Sequence, residues 1–507
     1  MSTSKAHQIG FLGVLLRHKD IPQWVTEAYV LKFESGAAST DAEFVQKRDA
    51  VLRILGIDAS RYPSRHPEIG AEDWEALEAD WNELLSRPPS GETLSHLNAL
   101  LLRVGTIPPY FRRRSWLYLC SSEVKEAEEI CQILATPKRD SSPQSVTTRG
   151  TNEDYYKRYR TDNEDKLIPI DAIVEQEGKV WSMRYVRGNR LLMADIERTF
   201  RDVWLYDPDS PMFSELCDVL VSAISANGCT YIQGLTYLCG VTLLFTTTLH
   251  EAVGIGLRIM RSRIYRSFML MNSEMIALVG SCIFKLARQI FSPATALGSP
   301  SKSDRKPKLM SFFKPRDKRY AGLRYHGYVD PEELRRRARI SPDLDLPVSQ
   351  FDARMHALCC TLFDICFDSL HHVFPAAISG VVLTLGSKTS FELSLFILDA
   401  LSYAQDLEEA FCVIITTIYV YSIASLCARH GLPDLSGFEL AEDELIEKTV
   451  SGITRLEIPS PTRFTRCYGD VCALYHGSED AQQQVCVIRT VFASVYDGLD
   501  QPPRCGR

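Results

Sequence analysis

The chain contains no Cys-x-x-Cys pair, and its fifteen cysteines are scattered from Cys120 to Cys505. Cys467 and Cys472 are too far apart for one arm of a zinc knuckle, and no second pair complements them. Most cysteines lie in apolar runs such as Leu238-Cys239-Gly240, where a thiol acts as a small buried hydrophobe. Reduced thiols and a cytoplasmic setting are expected. The eleven histidines include no His-Glu-x-x-His spacing, and His371-His372 falls in an apolar run that suits packing, so no metal is expected. No Gly-x-x-x-x-Gly-Lys-Ser/Thr loop occurs; Gly298-Ser-Pro-Ser-Lys302 lacks the second glycine, so no bound nucleotide cofactor is expected either. A formal net charge of −7 argues against nucleic acid as a partner of the whole chain. The apolar patch Gly10 to Leu16 is too weak for a secretory signal. Of long charge-free runs the best membrane candidate is Ala410 to Ala428. Thr416, Thr417, Ser422, Ser425 and two tyrosines make it a better buried core helix than a span.

Alternating, strand-like segments are also scarce. Most of the chain reads at helical spacing and predicts an all-α fold. Asp73 to Leu85 carries an apolar stripe of Trp74, Leu77, Trp81, Leu84 and Leu85. Leu94 to Val104 repeats it and is closed by Gly105 and Pro108-Pro109. Phe111 to Leu119 and Val124 to Leu134 follow. A dense helical array is expected over 74–430, with 1–73 as an N-terminal extension and 431–507 as a C-terminal helical extension. Polar linkers are expected at 136–151 and 431–443, and a longer insertion at about 292–352. Between Pro300 and Ile340 that insertion holds thirteen Lys/Arg against five Asp/Glu, a local +8 that leaves −15 for the remainder. Such a segment is expected to be a solvated loop; the sharper reading is contact between 300–340 and anionic lipid headgroups.

The residues that suggest chemistry are Asp195, Arg198 and Thr199, spaced i, i+3, i+4 and so expected on one helical face. A carboxylate at that spacing can orient a guanidinium while leaving donors free. Thirty-odd residues on, Asn227-Gly228 marks a turn before Tyr231-Ile-Gln233-Gly234, which places Gln233 near a helix start. Taken singly, such an Asp/Arg pair is usually a surface ion pair of a few tenths of a kcal/mol.

Their order and company say more. Gly105-Thr-Ile107-Pro108 with Arg112-Arg-Arg-Ser-Trp116, then Asp195-x-x-Arg198-Thr199-Phe200, then Tyr231-x-Gln233-Gly234, resembles the TBC domain family of Rab GTPase activators over about 74–430. The resemblance implies a large, two-lobed all-α TBC-like domain with long polar insertions. It implies that Arg198 is an arginine finger, Gln233 a glutamine finger and Asp195 the acidic support of the arginine. Thr199, Tyr231 and Gly234 complete those motifs. Arg112 and Trp116 match the structural entrance motif, with Trp116 anchoring packing and Arg112 pairing inward. The implied partner is a Rab-type small GTPase in its GTP-bound, Mg-containing state, met in the cytoplasm or at the face of endomembranes. The sequence departs from the family at Leu192 for isoleucine, Thr236 for asparagine, Arg201 for proline, and Leu398 where Phe396-Ile-Leu398-Asp399 aligns with a Trp-Asp pair. Two other readings compete: a TBC-like scaffold that binds a Rab with little catalysis, and a helical membrane protein built around 237–257 and 410–428.

Overall fold

The computed structural model describes residues 5–17, 21–34, 40–61, 71–135, 190–203, 205–207, 210–227, 231–269, 273–291, 374–386, 391–430 and 461–496. The expected linkers, the basic insertion and His371-His372 lie outside the described residues. Among the described residues every regular element is a helix. In chain order these are α1 Lys5–Leu15, α2 Gln23–Tyr29, α3 Asp41–Leu55, α4 Ala71–Ser86, α5 Gly91–Val104, α6 Pro109–Leu117, α7 Ser121–Ala135, α8 Arg190–Ile196 and α9 Pro211–Asn227. They continue as α10 Leu235–Leu244, α11 Leu249–Met260, α12 Arg263–Met269, α13 Ser273–Phe291, α14 Phe374–Leu383, α15 Phe391–Ser402, α16 Leu407–His430, α17 Pro461–Gly477 and α18 Glu479–Tyr496.

Local signals in the chain start and stop these helices. Thr40, Ser90 and Thr248 each stand in extended conformation just before a helix, and their hydroxyls accept the amide N–H of Glu43, Thr93 and Glu251. Pro109 opens α6, where its missing N–H is no loss. Gly56 and Gly105 close α3 and α5 at φ 71° and 91°, a left-handed cap that a side chain would resist.

Apolar faces then decide the packing. Helices α7, α9, α10 and α11 pack on one another, and α13, α16, α17 and α18 do likewise. Helix α15 bridges by packing on α5, α6 and α16, and α17 also lies on α5. One apolar core runs from Phe11 to Ile488. The N-terminal segment is part of it, with Phe11, Val25 and Val30 fully buried. Lys32 is buried too: its ammonium donates to the Leu243 carbonyl at 3.1 Å and meets Glu215 at 3.2 Å, tying the segment to α9 and α10. Burial pushes the Lys32 amine below its ordinary value, with Glu215 opposing that shift.

The charge-free run is core from Ala410 to Val420. Its side chains through Val420 are buried, and Thr416 and Thr417 return their hydroxyls to the carbonyls of Cys412 and Val413. Among the described residues no helix is long and apolar enough to cross a membrane.

Candidate functional site

Helix α8 stops earlier than the spacing of its residues suggests. The Arg198 and Thr199 amides reach back three residues, to the carbonyls of Asp195 and Ile196 at 3.1 and 2.9 Å. Phe200 then adopts φ 51°, a left-handed conformation rare outside glycine, and a 3₁₀ turn follows at Arg201–Val203. The expectation that Asp195, Arg198 and Thr199 share one helical face is therefore corrected. Thr199 turns inward, where its hydroxyl donates to the Asp195 carbonyl and pairs with the Thr236 hydroxyl, both at 2.8 Å. Arg198 turns outward, with 59% of its side chain exposed.

A left-handed Phe200 costs about 1–2 kcal/mol, and its ring contacts offset that. It meets Trp24, Tyr206, Tyr237 and Phe391 with centroids 5.1–6.1 Å apart, and such pairs contribute roughly 0.5–1.5 kcal/mol each. Gly240 on α10 leaves the room. A methyl there would come within 3.0 Å of the Tyr206 ring and 3.2 Å of the Phe200 ring.

The centre of the site is the buried carboxylate of Asp195. Its Oδ2 accepts the Tyr231 hydroxyl at 2.5 Å. Its Oδ1 accepts the Gln233 amide at 3.3 Å and faces the Arg198 guanidinium at 3.7 Å. The second contact is an ion pair across more than hydrogen-bonding distance, so Arg198 is oriented by charge and keeps its donors. Burial, then the neighbouring Asp195 charge, pushes the Tyr231 phenol well above its ordinary range, so it stays a neutral donor. The Tyr237 hydroxyl holds the Arg198 carbonyl at 3.1 Å from the other side. Gln233 is exposed and directly precedes Gly234, the residue that caps the start of α10.

Gly234 has φ 108°, and a Cβ there would lie 3.1 Å from the Leu383 carbonyl oxygen. Glycine is therefore required both by backbone conformation and by the approach of a second backbone. The turn that presses on it is left-handed at Leu385 and Gly386, and the Tyr265 hydroxyl holds the Leu383 carbonyl at 2.9 Å.

Arg112 and Trp116 lie at a separate, buried junction. Both meet Asp399 of α15, which is fully buried. Asp399 accepts from Arg112 Nε at 3.2 Å, Trp116 Nε1 at 2.8 Å, the Ile107 amide at 3.0 Å and the Thr106 hydroxyl at 3.1 Å. Arg112 also donates to the Ile107 carbonyl at 3.0 Å, stands over the Phe245 ring, and comes within 4.0 Å of Glu27 on α2. Burial raises the Glu27 carboxyl above its ordinary value although Arg112 opposes it.

The fold thus gathers Asp195, Arg198, Thr199, Tyr231, Gln233 and Gly234 into one cluster, with Arg112 and Trp116 at another. Reasoning from sequence missed Tyr237, Gly240 and the Leu383–Gly386 turn as parts of the first. It also left Asp399 outside the site, although an acidic residue inside the apolar run Leu393 to Leu401 is a readable sign of a buried partner. A scan against protein-family models and searches of curated proteins and of solved structures find no match to this chain.

Proposed function

We propose that this chain is a GTPase activator of the TBC type, which supplies Arg198 and Gln233 in trans to a Rab-type GTPase. The observation that carries the reading is the shared carboxylate. An exposed guanidinium and an exposed amide, from two separate segments of the chain, converge on one oxygen of a buried Asp195. Two groups supplied in trans to one phosphoryl centre must stand side by side, and the shared oxygen sets this guanidinium and this amide side by side.

The slow reaction lacks a cation on the charge that develops at the γ-phosphoryl and leaving oxygens, and it lacks a firmly held water. Arginine provides a permanent, planar donor fork for those oxygens. The glutamine amide can accept from the attacking water and donate to phosphate at once. A finger of this kind is worth about 10³–10⁵ in rate, or about 4–7 kcal/mol of barrier. The magnesium ion belongs to the partner's nucleotide site. Segment 300–340 would hold the activator near anionic membrane, consistent with its +8 charge.

Single-turnover hydrolysis against a panel of purified, GTP-loaded Rab proteins tests the reading. At least one should be accelerated by the wild-type chain and lose at least nine tenths of that acceleration with Arg198→Ala. A GTPase whose own switch glutamine is replaced by leucine should still respond to the wild-type chain, and neither form should respond to Gln233→Ala. Binding without acceleration would replace this reading with that of a scaffold.

A further inference from the structure

We propose that Trp24, from the N-terminal segment, is a positioning residue for Arg198: it braces the turn that presents the arginine. The proposal deepens the activator reading and, for its catalytic half, rests on it.

Helix α2 carries Trp24 and Glu27 one turn apart. Glu27 reaches the Arg112 junction, and Trp24 reaches the turn after α8. The indole stacks on Phe391 with centroids 3.7 Å apart and planes 14° apart. Phe200 meets both rings, at 5.6 Å from Trp24 and 5.1 Å from Phe391. Phe200 is two residues after Arg198 and holds the left-handed conformation that ends the turn. With the Tyr237 hydroxyl on the Arg198 carbonyl, the finger is gripped on one side by α10 and on the other through Phe200 by α2 and α15.

The Arg198 side chain is held only loosely, by an ion pair 3.7 Å long to a buried carboxylate, with 59% of its surface exposed. Its aim is therefore set by the backbone of 195–203. Remove the indole, and Phe200 loses a wall that offsets its unusual backbone angle. The guanidinium then samples more positions, and a misplacement of about 1 Å costs roughly 10²-fold in rate.

Amide hydrogen exchange and single-turnover kinetics on the full chain decide the matter. In Trp24→Ala, the amides of Arg198, Thr199 and Val203 should exchange at least about tenfold faster, while those of α17 and α18 stay unchanged. The maximal rate with the best-responding Rab should fall about tenfold or more, with the half-saturating concentration within about twofold. Trp24→Phe, which keeps an aromatic wall, should recover most of both. Unchanged exchange at 197–203 in a folded Trp24→Ala chain overturns the proposal, as does an unchanged maximal rate. Should Trp24→Ala not fold, Phe200→Leu removes the same contact from the other side and is judged by the same two readouts. If no GTPase responds to the wild-type chain, the activator reading and the catalytic half fall together, while exchange still decides whether Trp24 braces the turn.

Discussion

Replacing Asp399 by alanine tests the entrance junction most severely. The substitution removes the acceptor for Arg112 Nε, Trp116 Nε1, the Ile107 amide and the Thr106 hydroxyl, all within 2.8–3.2 Å. Arg112 would keep its bonds to Thr106 and the Ile107 carbonyl and a 4.0 Å approach to Glu27. A buried cation would thus lose its main counter-charge, and two buried N–H groups would lose their partners. Breaking a buried pair from one side costs about 3–5 kcal/mol, against a total stability of roughly 5–15 kcal/mol for a folded domain. The loss should therefore be a large fraction of the whole. Urea unfolding at pH 7, followed by tryptophan fluorescence, measures it. Glu126→Ala is the matched control, because its pair with Arg261 is more than one third exposed on both sides; it should lose no more than about 1 kcal/mol. Combining Asp399→Leu with Arg112→Met should recover part of the loss, since the uncompensated charge is then gone. An Asp399→Ala chain within about 1 kcal/mol of wild type would refute the claim that this carboxylate holds α6, α15 and the 105–108 loop together.

Three further outcomes are expected. Asp195→Asn keeps an acceptor for Tyr231 and removes the charge that faces Arg198, so it should lower the maximal hydrolysis rate less than Arg198→Ala; equal or greater damage at an unchanged melting temperature would assign the carboxylate another role. Gly234→Ala should destabilise by at least about 1–2 kcal/mol from its backbone angle alone, and exchange at the Leu383–Gly386 turn should accelerate; a neutral effect on melting would remove that turn from the site. The buried carboxyls Glu251 and Glu27 should show opposite pH dependence. Burial alone would raise Glu251, but the hydrogen bond and charge of Arg113 and the Thr247 amide and hydroxyl outweigh it and lower its pKa. Its stabilisation is thus present above the ordinary value of 4.5 and fades as pH falls through the lowered one. Glu251→Gln should accordingly be weaker than wild type at pH 7, with the gap closing in acid. Glu27 is raised by burial, so it favours the fold below 4.5 and loses that contribution as pH rises; Glu27→Gln should compare best with wild type at neutral pH and lose ground in acid.

The local part of the fold was legible because its causes are local. Apolar spacing located helices at 73–85 and 94–104, and Gly105 and Pro108-Pro109 marked the end of α5 and the start of α6. The end of α8 was not legible. A phenylalanine, unlike a glycine, gives no sign that it will turn left-handed, and the rings packed on it there, Trp24 of α2 among them, come from elsewhere in the chain. The placement of Phe11 and of 24–31 in the core was hidden for the same reason, since Trp24 finds its stacking partner in Phe391. At the site, spacing could suggest that Asp195 and Arg198 meet. It could not indicate that Arg198 faces out, that Thr199 faces in, or that Gln233 shares the same oxygen.

The Asp399 junction also bears on how the chain is made. Its donors lie 283 to 293 residues before their acceptor, and Trp81 waits 322 residues for the Tyr403 hydroxyl. At about 5–20 residues per second, synthesis takes on the order of tens of seconds to bridge such a gap. Through that interval Trp81, Arg112 and Trp116 belong to helices whose natural cover has not left the ribosome. Ends so distant in sequence close late and slowly. The faces of α5 and α6 that α15 and α17 cover in the finished fold thus stand open during synthesis, and a chaperone that shields them over that interval would limit misassociation.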